Sequence, residues 1–176
     1  MRRRALLSAS LALTVALTVG GCSAEMKTET ENEMEMSEPA SGIALAEAKE
    51  QTQETTLEVA MVIPQPLVES VVQNPKGSIL TSRDGTHHWA GHLDIAFVGP
   101  IDAVPYFETA VDDWGGRAGW GAERDEMSDG SPQLVITGPG GSVYLLSMAL
   151  DRRSAHIATL SPSADIQPGE VRGPNY

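Results

Sequence analysis

Between residues 77 and 162 the chain is cut at short intervals by turn-forming residues, which leaves little room for long elements. The cuts are Asp84-Gly85, Gly99-Pro100, Gly115-Gly116, Asp129-Gly130, Pro139-Gly140-Gly141 and the polar run at 151–153. Residues 88–98 alternate most clearly, with Trp89, Gly91, Leu93, Ile95 and Phe97 on one face and His88, Ala90, His92 and Asp94 on the other. Strands are predicted at 78–82, 88–98, 120–128, 133–137, 142–150 and 155–160. The segment after Gly99-Pro100 differs. Asp102 suits a helix N-cap, Pro105 is tolerated in a first turn, and Val104, Phe107, Val111 and Trp114 recur at helical spacing. Gly115-Gly116 ends that helix. The expected fold is therefore α+β and two-layer: an antiparallel β-meander of about five or six strands packed on one main helix.

The N-terminal residues have a different character. Arg2, Arg3 and Arg4 precede an apolar run at 5–19, followed by Val19-Gly20-Gly21-Cys22. A bilayer-spanning helix needs about twenty apolar residues, so the run has the length of a signal-peptide core instead. The tetrad resembles the lipobox of bacterial lipoproteins, in which small residues admit a peptidase to extended backbone. That resemblance implies cleavage of a leader at 1–21 and a diacylglyceryl group on Cys22. Arg3-Arg4 only partly matches a twin-arginine signal, and the general secretion route is expected. Two acyl chains would anchor the protein stably, at roughly 0.8 kcal/mol per buried methylene. The expected location is the extracytoplasmic face of the cell membrane.

Residues 22–56 are expected to form the lipidated cysteine and an acidic spacer. The stretch 25–38 is almost wholly Glu, Thr, Met and Asn, too polar to offset its ordering entropy by burial. As a coil, residues 23–42 would span roughly 25 Å. A marginal helix is expected from residue 43, where Leu45, Ala48, Thr52, Val59 and Ile63 make a weak stripe, ended by Pro64 and Pro66. The α+β domain is assigned to 57–165 and a loose Pro- and Gly-containing tail to 166–176.

Charge and cysteine content exclude several classes. The formal net charge is −12, and loss of the three leader arginines would make it −15. Such a chain is repelled by nucleic acid and by anionic lipid. A single cysteine rules out intramolecular disulfides and multi-thiolate metal sites.

Gly77-Ser78-Ile79-Leu80-Thr81-Ser82, His88-Trp89-Ala90-Gly91, the stretch 98–102, Gly119-Trp120, Asp129-Gly130, Gly140-Gly141 and Leu160-Ser161-Pro162 occur in this order. Together they resemble a group of small actinobacterial lipoproteins of unknown function. The resemblance supplies no catalytic residue, cofactor or ligand. In that group cysteines often stand where this chain has Ser82 and Ser163. Their pairing there implies that the strand at 78–82 lies beside the end of the strand at 155–160.

Each candidate site has a plainer alternative. His88, His92 and Asp94, with His87 adjacent, share a strand face. Ligands four residues apart on a strand are about 13 Å apart, so only His92 with Asp94, at about 7 Å, could share a metal ion. The alternative is a solvated face. Gly138-Pro139-Gly140-Gly141-Ser142 lacks the lysine of a phosphate-binding loop and precedes a strand, so it reads as a hairpin turn. Asp112 with Asp113, and Glu123, Asp125 and Glu126, lack the apolar cleft that separates the pKa values of an acid–base pair. There is no nucleophile elbow. Trp89 and Trp114 fall on core faces, leaving Trp120 as the partly exposed contact candidate. The expected function is that of a non-enzymatic envelope lipoprotein without cofactor, acting through protein or envelope contacts, with envelope proteins as partners and an enzyme as the least favoured reading. A surface-exposed small-ligand-binding module is the alternative.

Overall fold

The computed structural model describes residues 42–166. Strands β1 (Ile43–Ala44), β2 (Val68–Gln73), β3 (Ser78–Thr81), β4 (His87–Phe97), β5 (Gly121–Glu126), β6 (Pro132–Thr137), β7 (Val143–Met148), β8 (Ser154–Leu160) and β9 (Ala164–Asp165) join in one sheet. Helices α1 (Leu45–Ala60) and α2 (Val104–Gly115) complete the fold. Among the described residues no helix is long and apolar enough to cross a membrane. Cys22, the tetrad at 19–22 and most of the predicted spacer lie outside the described residues, as does nearly all of the tail.

The expected meander of five or six strands on one main helix is overturned. Among the described residues the sheet has nine strands, is mixed and curls into a half-barrel, and it carries two helices. After β4 the chain crosses through α2 to the far edge at β5. It then steps back through β6 and β7, so that β8 pairs antiparallel with β4, Asp94 opposite His156. Alternation identifies a strand's two faces but carries no information on its neighbour, and the crossover is therefore invisible in it. Two things raise the strand count: residues 68–73, where no strand was predicted, form β2, and interruptions divide the flanks of β4. β2 and β3 lie along the same side of β4, separated by the kink at 74–77. β8 and β9 lie along its other side, separated at 161–163. At that second break the Ser161 hydroxyl accepts the Trp89 amide at 2.8 Å, and His88 Nδ1 meets the Ser161 carbonyl at 2.8 Å.

Helix α1 extends the folded unit upstream of residue 57. Its buried stripe is Leu45, Ala48, Thr52, Thr56, Val59 and Ala60. Two threonines make the stripe look weak in hydropathy. Each, however, donates its hydroxyl to the carbonyl four residues earlier at 2.6 Å, which removes the burial penalty of the polar atom. In α2, Phe107, Ala110 and Trp114 are buried, and Asp102 Oδ1 accepts the Val104 amide at 3.3 Å. Both helices cover the inner face of the sheet, where Leu93, Ile95, Leu146 and Ile157 meet Val59, Ile63 and Phe107. A smaller cluster joins Leu45, Ala48, Trp89 and Ala164.

The implied neighbourhood of Ser82 and Ser163 is also corrected. β4 runs between β3 and β9, which pair with its opposite sides. Two strand spacings separate the serines by roughly 10 Å, beyond the reach of about 7 Å that a disulfide allows between Cα atoms. Ser82→Cys combined with Ser163→Cys is therefore expected to leave both introduced thiols free under oxidation. Titration with a thiol reagent after mild oxidation checks this, and loss of both thiols in the monomer would refute the strand order.

Candidate functional site

Among the described residues the outer face of the sheet carries no helix, and its side chains are set by the alternation opposite to the core. Cross-strand register lines up Val72 of β2, Asp94 of β4, His156 of β8, Ser147 of β7 and Gln133 of β6 in one row. His156 Nδ1 lies 2.8 Å from Asp94 Oδ1, and Gln133 donates to the Ser147 hydroxyl at 2.6 Å. The His156 ring lies 5.4 Å from the ring of His92, whose Nε2 is 3.4 Å from Asn74 Nδ2.

At the end of this row an open groove of about 690 Å³ crosses the face. Ser70, Val72, Asp94, His156, Asp129 and Leu150 are among its lining residues, which include no lysine or arginine. Leu150 is 70 % exposed, Val72 61 % and Met127 40 %. The Ser131 amide donates to Asp129 Oδ1 at 2.9 Å and holds that carboxyl below the usual aspartate range. Asp129 thus keeps its charge to a lower pH than an ordinary aspartate. The groove is apolar along its rim and negative within.

The structure sorts the sequence candidates. His92 and Asp94 both face outward, as the alternation predicts, but Asp94 is partnered by His156. Among the described residues no group of three His, Cys, Asp or Glu side chains is placed to hold a metal ion. His88 is buried and serves the β8–β9 break, and His87 Nδ1 lies 3.0 Å from the Thr81 hydroxyl. Trp120 is half-buried, with its ring 4.9 Å from Trp114 in an edge-to-face arrangement and 6.1 Å from Tyr144. Trp89 belongs to the other cluster. The three indoles therefore form no common platform. Gly138–Ser142 is the β6–β7 connection, with Gly140 and Gly141 at positive φ. Asp112, Asp113, Glu123, Asp125 and Glu126 are exposed.

Sequence reasoning missed His156, Asp129 and Leu150. His156 stands at an outward position of an alternating strand, but its nearness to Asp94 follows only from the β4–β8 register. A second hollow, of about 430 Å³, lies beside Glu58, Trp114 and Arg117. There Arg117 pairs with Glu58 at 2.6 Å and stacks 3.8 Å from the Trp114 ring, which engages the one cation of a lining that also holds Asp113. The groove at Val72 and Leu150 has no lysine or arginine in its lining.

Comparison of the chain with protein-family models, with curated proteins and with solved structures finds no match.

Proposed function

We propose that this chain is a lipoprotein anchored through Cys22 at the extracytoplasmic membrane face, and that its folded part docks a polypeptide partner in the groove beside β2. The anchor rests on the short apolar leader and the tetrad Val19-Gly20-Gly21-Cys22. One observation carries the docking reading. Val72, Met127 and Leu150 expose apolar surface around Asp94 and Asp129; His156 meets Asp94, and no lysine or arginine in the lining balances Asp129. Contiguous exposed apolar surface bounded by polar groups marks interaction sites. Unbalanced negative charge selects a partner segment that carries lysine or arginine beside aliphatic residues. Catalysis is not part of the proposal, because Asp94 and His156 meet on an exposed face, without the water-excluding cleft that tunes an acid–base pair. A small-ligand site would enclose its ligand, whereas this groove lies open along the sheet.

Site-specific photo-crosslinking in cells tests the reading. A crosslinking residue at Leu150 or Val72 of the lipidated protein is expected to capture one partner segment containing basic and aliphatic residues. One at the exposed Glu108 of α2 is expected to capture none. Capture is expected to fall several-fold in the Asp94→Asn, Asp129→Asn double variant. Equal capture from all three positions, or no capture from the groove, would overturn it.

A further inference from the structure

We infer that the partner docks by adding a strand to the free edge of β2, with its basic side chains reaching across Val72 toward Asp94 and Asp129; this rests on the docking reading above. The two ends of the sheet are unlike. At the β5 end four consecutive charged residues, Glu123, Arg124, Asp125 and Glu126, guard the edge against further pairing. At the other end β2 reads Val68-Glu69-Ser70-Val71-Val72-Gln73, with one charged residue, and that residue sits at a bulge between Val68 and Ser70. Beyond the bulge, Ser70–Gln73 are in regular register with β4 and, among the described residues, have no strand on their other side.

The ladder identifies which backbone groups are free. Asn74 donates its amide to the carbonyl of His92, and that pair continues the register that matches Val72 with Asp94. Hydrogen-bonded pairs alternate along an antiparallel ladder. Ser70 and Val72 therefore direct their amides and carbonyls to β4, while Val71 and Gln73 present theirs outward. An incoming extended segment meets these outward groups at the normal strand spacing, and its alternate side chains cover Val72 on one face and Val71 on the other. Asp94 lies directly across β2 from Val72, about two strand spacings or 10 Å from the new strand. A lysine or arginine side chain on the outer face spans most of that distance along the apolar surface of Val72, with its charge at the groove. A second copy of this chain is a poor occupant, since the formal charge of −12 repels itself.

Titration of the full lipidated chain in non-ionic detergent micelles with an eight-residue alternating Lys-Val peptide tests the inference. Saturable one-to-one binding is expected. N-methylation of alternate peptide amides is expected to weaken it at least tenfold, since each removes an edge hydrogen bond without changing charge. Val71→Pro is expected to weaken it similarly. It deletes one outward-facing donor, and edge strands tolerate proline where the amide does not serve the ladder. The N-methylated peptide provides the same test with the protein unaltered. A Glu-Val peptide is expected not to bind. Equal affinity for the plain and N-methylated peptides would overturn strand addition, as would equal binding by the Val71→Pro chain, or self-association through β2. The docking reading survives those results if crosslinks from Leu150 and Val72 still map to one basic segment, and it falls if they do not.

Discussion

Trp89→Ala is expected to lower the stability of the folded domain by about 3–5 kcal/mol, the range for removing a fully buried indole. Trp89 is 1 % exposed and is the largest member of the cluster that joins α1 to β4 and β9. Its ring lies against backbone: a Cβ built on Gly91 would come within 2.1 Å of the indole, and one on Gly77 within 2.5 Å. Backbone in a sheet cannot collapse into the vacated space, so the cavity persists. The loss also frees Leu45 and Ala48, which hold the first turns of α1 to the sheet. At roughly 3–5 °C per kcal/mol for a domain of this size, the unfolding midpoint should fall by about 10–20 °C. Thermal denaturation followed by circular dichroism measures it. A shift of under about 3 °C would mean that the indole is not a core residue.

Cys22→Ala is expected to move the protein from the membrane fraction to the soluble extracytoplasmic fraction or to leave it as an uncleaved precursor. On the proposed anchoring, the thiol is the sole attachment point for acyl chains, because the sequence contains one cysteine. A single acyl chain binds membranes with a constant of only about 10⁴ M⁻¹, and stable anchoring takes two signals. Removing the thiol removes all of them together. The acidic composition supplies no electrostatic substitute, since anionic head groups repel it. Cell fractionation with metabolic acyl labelling reads the outcome. A variant that remains membrane-bound and labelled would end the lipoprotein proposal.

Parts of the fold were legible because they depend on local periodicity. The faces of β4 follow the alternation from 89 to 97, where Trp89, Leu93, Ile95 and Phe97 are buried and Asp94 is exposed, while His88, expected outward, is buried at the β8–β9 break. The helix after Asp102 follows from Phe107 and Trp114 at helical spacing and from the glycine pair that ends it. The α1 stripe was visible but undervalued, because hydropathy treats Thr52 and Thr56 as polar although their hydroxyls bond back to the helix. The site was half legible. His92 and Asp94 were identifiable as outward-facing, whereas His156 and Leu150 join them only across strands remote in sequence.

The amino-acid order by itself determined most of the strand segments from residue 78 onward, the helix after Asp102 and the apolar side of β4, but not β2 at 68–73. These are properties of neighbouring residues, written at intervals of two or of three to four positions. Tertiary structure alone decided that α2 carries the chain to the far edge, that β8 returns beside β4, and that β2, among the described residues, has an unpaired edge next to two carboxylates. Strand order minimises the free energy of the whole sheet and its two covering helices at once, a sum over distant contacts that no local window contains.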